Sequence, residues 1–220
     1  MNFMSLNNFS YIKGSKPTIN EFFISIGKKC GVKWNINKHI EKKETQLFDW
    51  LITDMNSVNK IINTQNINTL INKDTVKRSK TNPFGFTKQN ARYYVTTLSK
   101  CESLHDVSSN HTNKQVNELI KRLIRRYNRL INLIKNNNLK IYFIRNGEIT
   151  NMEKNIFINS IIKINPNCNF KLVECCDSIK QNSKYYKNIN LNNFKLHNVK
   201  SDWKLSQYNW KSIINNIRYS

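Results

Sequence analysis

Glycine is scarce in this chain, with five residues in 220. Gly-rich phosphate loops need several glycines at fixed spacing, and neither the dinucleotide-binding fingerprint nor the P-loop pattern occurs, so no nucleotide cofactor is implied. Acidic residues are also few, 14 Asp+Glu against 36 Lys+Arg, leaving a formal charge of +22. No apolar run reaches the roughly 18 residues that a membrane span requires, and residues 1–20 are polar with no signal-peptide core. The expectation is a cytoplasmic protein with no membrane partner. The five cysteines (Cys30, Cys101, Cys168, Cys175, Cys176) are odd in number and lack the paired short spacings of a disulfide framework or a zinc site. Reduced thiols and no bound metal are expected.

What is present is enough for one substantial core. The length suits a single domain, 21–220, behind a loosely held lead-in, 1–20, that is rich in Asn and Ser. The positive charge would ordinarily point to a polyanion, because clustered Lys and Arg neutralise phosphates. Here the basic residues are spread along the chain. About one residue in six is Asn, and Ile and Lys are over-used, as AT-rich codons produce. A large DNA virus or a protist would supply such codons, and for a virus the location becomes the host cytoplasm.

Along the chain, Phe22–Ile26 reads as a buried strand stopped by Gly27, with Cys30 in the turn or first helical turn that follows. Val32, Ile36 and Ile40 recur every four residues and predict a short helix whose N-terminal end faces Cys30, an arrangement that lowers a thiol pKa. Leu47 to Ile52 is a dense apolar cluster enclosing Asp49. Ser57 begins a helix bearing Val58, Ile61 and Ile62, Pro83–Phe86 marks a turn, and Tyr93–Val95 is a short strand. Val116 to Ile134 is an amphipathic helix capped by Asn113. Its polar face carries Lys121, Arg122, Arg125, Arg126 and Arg129, the best basic patch in the chain and the candidate polyanion-binding surface. Leu139–Ile144 and Phe170–Cys175 are the second and third strands, with an amphipathic helix, Glu153–Ile164, between them. Phe194–Val199 reads as the fourth strand, and a final helix holds Trp210, Ile213, Ile214 and Ile217. Strand and helix alternate, which argues for an α/β fold: a mainly parallel sheet with helices on both faces. Ligands bind beyond the carboxyl ends of such strands, where Cys30, Asn146 and Asp177 would lie.

A cysteine nucleophile needs a base, usually His, and a group to orient that base. His39 and His111 sit in polar surroundings, and His197 alternates within a candidate strand. His105 stands in an apolar pentapeptide beside Asp106 and is the better candidate base. Adjacent side chains on an extended segment point apart, so Asp106, Asp49 and Asn146 all remain open as the orienting group. Equally, Cys30 could be a small buried hydrophobe and His105 a satisfied core residue.

The ordered set Ile24-Ser25-Ile26-Gly27-Lys28-Lys29-Cys30, Phe48-Asp49-Trp50, His105-Asp106, an Arg-rich helix and Ile141-Tyr142-Phe143-Ile144-Arg145 resembles the bacterial and viral family called putative papain-like cysteine peptidases. A closing segment from Trp203 to Trp210 is similar as well, so the resemblance runs over about 22–215. The resemblance implies a thiol nucleophile at Cys30, a base at His105 and an α+β papain-like fold with an antiparallel sheet as the alternative architecture. Gly27, Trp50, Arg145 and Asn146 fall on the same strand-end wall and are the candidate binding residues. Leu47 stands where the family often has proline, and Lys33 where it has a small residue. Three functions follow: a cysteine hydrolase, peptidase or acyl-transfer enzyme acting on a protein or small-molecule substrate; a nucleic-acid or polyanion-binding protein using the basic helix; and an α/β transferase-like protein in which Cys30 is structural.

Overall fold

The computed structural model describes residues 20–28, 30–40, 44–78, 93–103 and 112–219. In chain order the elements are β1 (Asn20–Ser25), α1 (Gly31–His39), β2 (Leu51–Thr53), α2 (Met55–Asn63), β3 (Val76–Arg78), β4 (Tyr93–Val95) and β5 (Cys101–Ser103). They continue with α3 (Asn113–Lys135), β6 (Leu139–Asn146), α4 (Asn151–Ile164), β7 (Asn169–Cys176), β8 (Tyr186–Asn190) and α5 (Trp210–Arg218). The lead-in 1–19, the Pro83–Phe86 turn, and His105, Asp106 and His111 lie outside the described residues.

Two four-stranded sheets result, one parallel in the order β1-β6-β7-β8 and one antiparallel in the order β2-β5-β4-β3. Ile141–Arg145 and Leu172–Cys176 are buried without a break. That continuity is what a parallel sheet covered on both faces demands. One face places Ile24, Ile141, Phe143 and Leu172 against Val58, Leu123, Leu130 and Phe157, from α2, α3 and α4. The other places Phe23, Tyr142, Ile144 and Val173 against Val32, Ile36, Trp210 and Ile213, from α1 and α5. Helices therefore flank the parallel sheet on both faces, as the alternation predicts.

The antiparallel sheet enlarges this plan. Its strands are three residues each, and only Tyr93–Val95 is legible in the sequence. The architecture is mixed α/β, with a parallel and an antiparallel sheet of equal strand number, and it fits the α+β alternative at least as well as a mainly parallel fold. The fourth parallel strand is also not Phe194–Val199. Tyr186–Asn190 takes that place, and Phe194 ends a 3-10 turn while Leu196 and Val199 are exposed. Helix caps shift by a residue or two. Asp54 caps α2 by accepting from Ser57 N–H at 2.8 Å, and Thr112, not Asn113, precedes α3.

Arg145 joins the sheets. Its buried guanidinium donates from Nη1 to the Ile26 carbonyl at 2.9 Å and from Nη2 to the Thr53 carbonyl at 3.3 Å. Among the described residues no helix is long and apolar enough to cross a membrane.

Candidate active site

Gly27, two residues past β1, has φ +95°, a conformation that favours glycine. A Cβ there would lie 3.0 Å from Arg145 Nη1 and 3.1 Å from the Thr53 carbonyl, so the tie between the sheets also requires a residue without a side chain. Asn146 N–H donates to the Gly27 carbonyl at 3.3 Å, and Gly147 N–H to the Cys175 carbonyl at 2.8 Å. The carboxyl ends of β1, β6 and β7 thus form one continuous rim.

Cys30 follows on this rim as the residue preceding α1. Its φ −67° and ψ −14° are already helical, and its carbonyl accepts from Trp34 N–H at 3.0 Å. The first turn of a helix carries N–H groups with no intrahelical acceptor, and the Cys30 side chain does not cap them. The residue is nearly covered, at 8% exposure.

Lys28 forms an antiparallel bridge with Thr53. Thr53 is the last residue of β2 and Leu51 its first. Leu51 in turn pairs with Ser103, the last residue of β5. Lys28 thus flanks the C-terminal end of β2, while Asp49, held by Lys33 of α1, and the exit of β5 lie at its N-terminal end.

Asp49 sits there in full burial. Its Oδ2 accepts from Lys33 Nζ at 2.6 Å and from Gln46 N–H at 2.6 Å, and Lys33 also donates to the Glu44 carbonyl at 2.9 Å. Burial pushes the Asp49 carboxyl above its ordinary range, against the opposing pull of the Lys33 and Arg126 charges. Asp49 Oδ1 is buried with no hydrogen-bond partner among the described residues. Sequence reasoning reached Lys33 only as a departure from the family pattern, because one lysine in a helix gives no sign of the carboxylate that neutralises it.

The other candidates distribute as follows. Trp50 is half-buried beside Asp49 with φ 66°. Arg145 directs its bonds into the scaffold, and Asn146 is half-buried on the rim. On α3, Arg129 Nη1 donates to the Thr45 carbonyl at 3.0 Å and Lys121 pairs with Glu118 at 3.1 Å. With Arg126 contributing charge at Asp49, part of the basic face braces the segment that carries Asp49. Arg125 is exposed and Arg122 half-buried.

Further along the rim, a cleft of about 770 Å³ is lined by Ile149, Thr150, Asn151, Lys154, Lys180 and Asn182, among others. Behind it Glu174, fully buried, accepts from Lys180 Nζ at 2.6 Å, Ile149 N–H at 2.9 Å and the Tyr186 hydroxyl. Sequence reasoning passed over Glu174, although a charge within the otherwise apolar Leu172–Cys176 run is a signal that could have found this network. Cys175 packs in the core, whereas Cys176 Sγ lies 3.1 Å from Ser178 Oγ and accepts from Asn188 Nδ2 at 3.3 Å. Among the described residues, no group of three His, Cys, Asp or Glu side chains could hold a metal ion.

A thiol thus precedes a helix on the rim of a parallel sheet, and that helix reaches a buried carboxylate through Lys33. The family model described as putative papain-like cysteine peptidase matches residues 21–191, and the chain belongs to that family. The matched span holds Cys30, Asp49, His105 and Arg145, and it stops short of Trp203–Trp210. No curated protein and no solved structure matches the chain significantly.

Proposed function

We propose that the protein is a cysteine-dependent hydrolase or acyl-transfer enzyme, with Cys30 as nucleophile and His105 as base. The observation that carries this reading is that α1, which Cys30 precedes, is held through Lys33 to Asp49 just before β2, at the same end of β2 where Leu51 pairs with Ser103, the last residue of β5. His105 follows Ser103 by two residues, a span of at most about 7 Å of chain.

His105 takes the thiol proton as Cys30 Sγ attacks the substrate carbonyl. The oxyanion forms against the backbone amides of the first turn of α1. Collapse of the tetrahedral adduct expels the leaving group, which receives the proton from His105, and leaves an acyl thioester on Cys30. His105 then deprotonates water, or another acceptor, whose attack releases the acyl group and restores the thiol. Asp49 is the orienting carboxylate in this scheme, through Oδ1, because Oδ2 is occupied by Lys33 and Gln46.

Cys30→Ser and His105→Ala are expected each to lower turnover of a peptide or ester substrate by at least about 100-fold, with folding retained by circular dichroism. Turnover unchanged in Cys30→Ser would refute the assignment.

A further inference from the structure

Trp34 and Trp203 are large apolar side chains left open to solvent, at 39% and 48% exposure. Their rings meet edge to face, with centroids 5.6 Å apart and planes at 69°. Lys204 Nζ stands over both rings, 4.9 Å from the Trp34 centroid and 5.6 Å from that of Trp203. Two facts place this corner beside Cys30. Trp34 lies one helical turn after Cys30, its N–H bonded to the Cys30 carbonyl, and because helical side chains lean toward the N-terminus its indole is directed toward the turn that begins at Cys30. A Cβ on Gly31, the residue after Cys30, would lie 2.5 Å from the Trp203 carbonyl. The Trp203 backbone therefore rests directly on the start of α1. Asn35 fixes it there, donating from Nδ2 to the Lys204 carbonyl at 2.7 Å.

We propose that Trp34, Trp203 and Lys204 form the substrate subsite next to the thiol, and that its occupant is an acidic peptide carrying a bulky apolar or aromatic side chain. The proposal rests on the assignment of Cys30 as nucleophile. An edge-to-face pair offers a corner that can enclose one side chain, in contrast to the parallel faces on which successive nucleobases stack. The Lys204 ammonium over the two rings, within a chain of charge +22, favours carboxylates flanking that side chain. Lys33 and Trp34 flank Cys30 from the next turn of the helix, one turned to Asp49 and the other to Trp203. The chemistry and the selectivity would then be held by adjacent residues of one helix.

The test uses the full chain and two pools of labelled acidic octapeptides, randomised alike except for one fixed position that is Phe in one pool and Ala in the other. Fluorescence anisotropy is expected to show at least about tenfold tighter binding of the Phe pool. Trp34→Ala or Trp203→Ala should bring the two pools within about twofold, whereas Trp34→Phe should retain the preference and thereby control for folding. Equal affinity of the two pools for the wild-type protein overturns the proposal. So does an oligothymidylate that binds more tightly than the Phe pool in a Trp34-dependent manner. Cys30→Ala separates the two claims. A Phe preference without Cys30-dependent hydrolysis keeps the subsite and removes the thiol mechanism, and Cys30-dependent hydrolysis without a Phe preference does the reverse.

Discussion

Lys33 Nζ lies 2.6 Å from Asp49 Oδ2, and neither side chain is more than 2% exposed. This one pair fixes the helix that begins after Cys30 against the Phe48-Asp49-Trp50 turn that leads into β2. A buried charge is tolerable only while its partner and its hydrogen bonds are in place. Here Gln46 N–H and the Glu44 carbonyl complete the set.

Removing one partner strands the other charge. Lys33→Met and Asp49→Leu should each destabilise the protein by about 3–5 kcal/mol, and the double replacement should recover most of that loss. Urea unfolding of the four proteins forms the cycle. Additive losses in the double variant would show that the pair is not coupled.

Gly27→Ala is expected to cost about 2 kcal/mol or more, since it combines a positive φ with a Cβ crowded between Arg145 and Thr53. Because that crowding sits on the tie between the two sheets, the same variant should lower the thermal midpoint even with the thiol intact. A change below about 0.5 kcal/mol would contradict the geometry.

Asp54 links α2 to the loop before β5, accepting from Ser57 N–H and from the Ser99 hydroxyl at 2.7 Å. Burial acts to raise its carboxyl pKa, but these hydrogen bonds outweigh burial and hold it below its ordinary value. A depressed pKa means that the folded state binds fewer protons than the unfolded one, so the contribution is present above the unfolded value of 3.8 and is lost as pH falls below it. Asp54→Ala should cost about 1 kcal/mol at neutral pH. The gap between variant and wild type should narrow as the pH is lowered from about 5 to about 3; a gap independent of pH would dismiss the capping account.

Burial raises three thiols: Cys101 to about 12, where the charges of Glu102 and Asp54 add to the effect, Cys168 to about 11, and Cys175 further still. Brief alkylation of the native protein near neutral pH should leave all three unmodified, and alkylation after denaturation should modify them. Labelling of Cys101 in the native state would mean that the antiparallel sheet opens readily.

The long elements were legible in the sequence because their patterns repeat. Leu119, Leu123, Tyr127, Leu130 and Ile134 mark α3 over several turns, and the apolar run Ile141–Ile144 of β6 and the Leu172-Val173 and Cys175-Cys176 pairs of β7 show burial on both faces. The antiparallel sheet was not legible, since a three-residue strand completes barely one period of alternation. Tyr186–Asn190 escaped for a related reason: Tyr186 and Ile189 are its only apolar side chains, and Lys187 is buried by donating to the Asn216 carbonyl at 2.6 Å. Phe194–Val199 showed better alternation and is not a strand, because the 3-10 turn that ends at Phe194 takes the chain out of the sheet. For the site, the Gly27 turn and Cys30 could be placed from local sequence. The Lys33–Asp49 pair and the Trp34–Trp203 corner could not, because their partners are 16 and 169 residues apart and nothing local specifies the contact.

The central claim is that Cys30 is a nucleophile and not a core hydrophobe. Its most direct test is the rate at which iodoacetamide modifies Cys30 in the native protein at pH 7, read by peptide mass and compared with free cysteine under the same conditions. The account predicts a rate above that of free cysteine despite 8% exposure, lost when His105 is replaced by alanine. A rate at or below that of free cysteine, unchanged in the His105 variant, would contradict it.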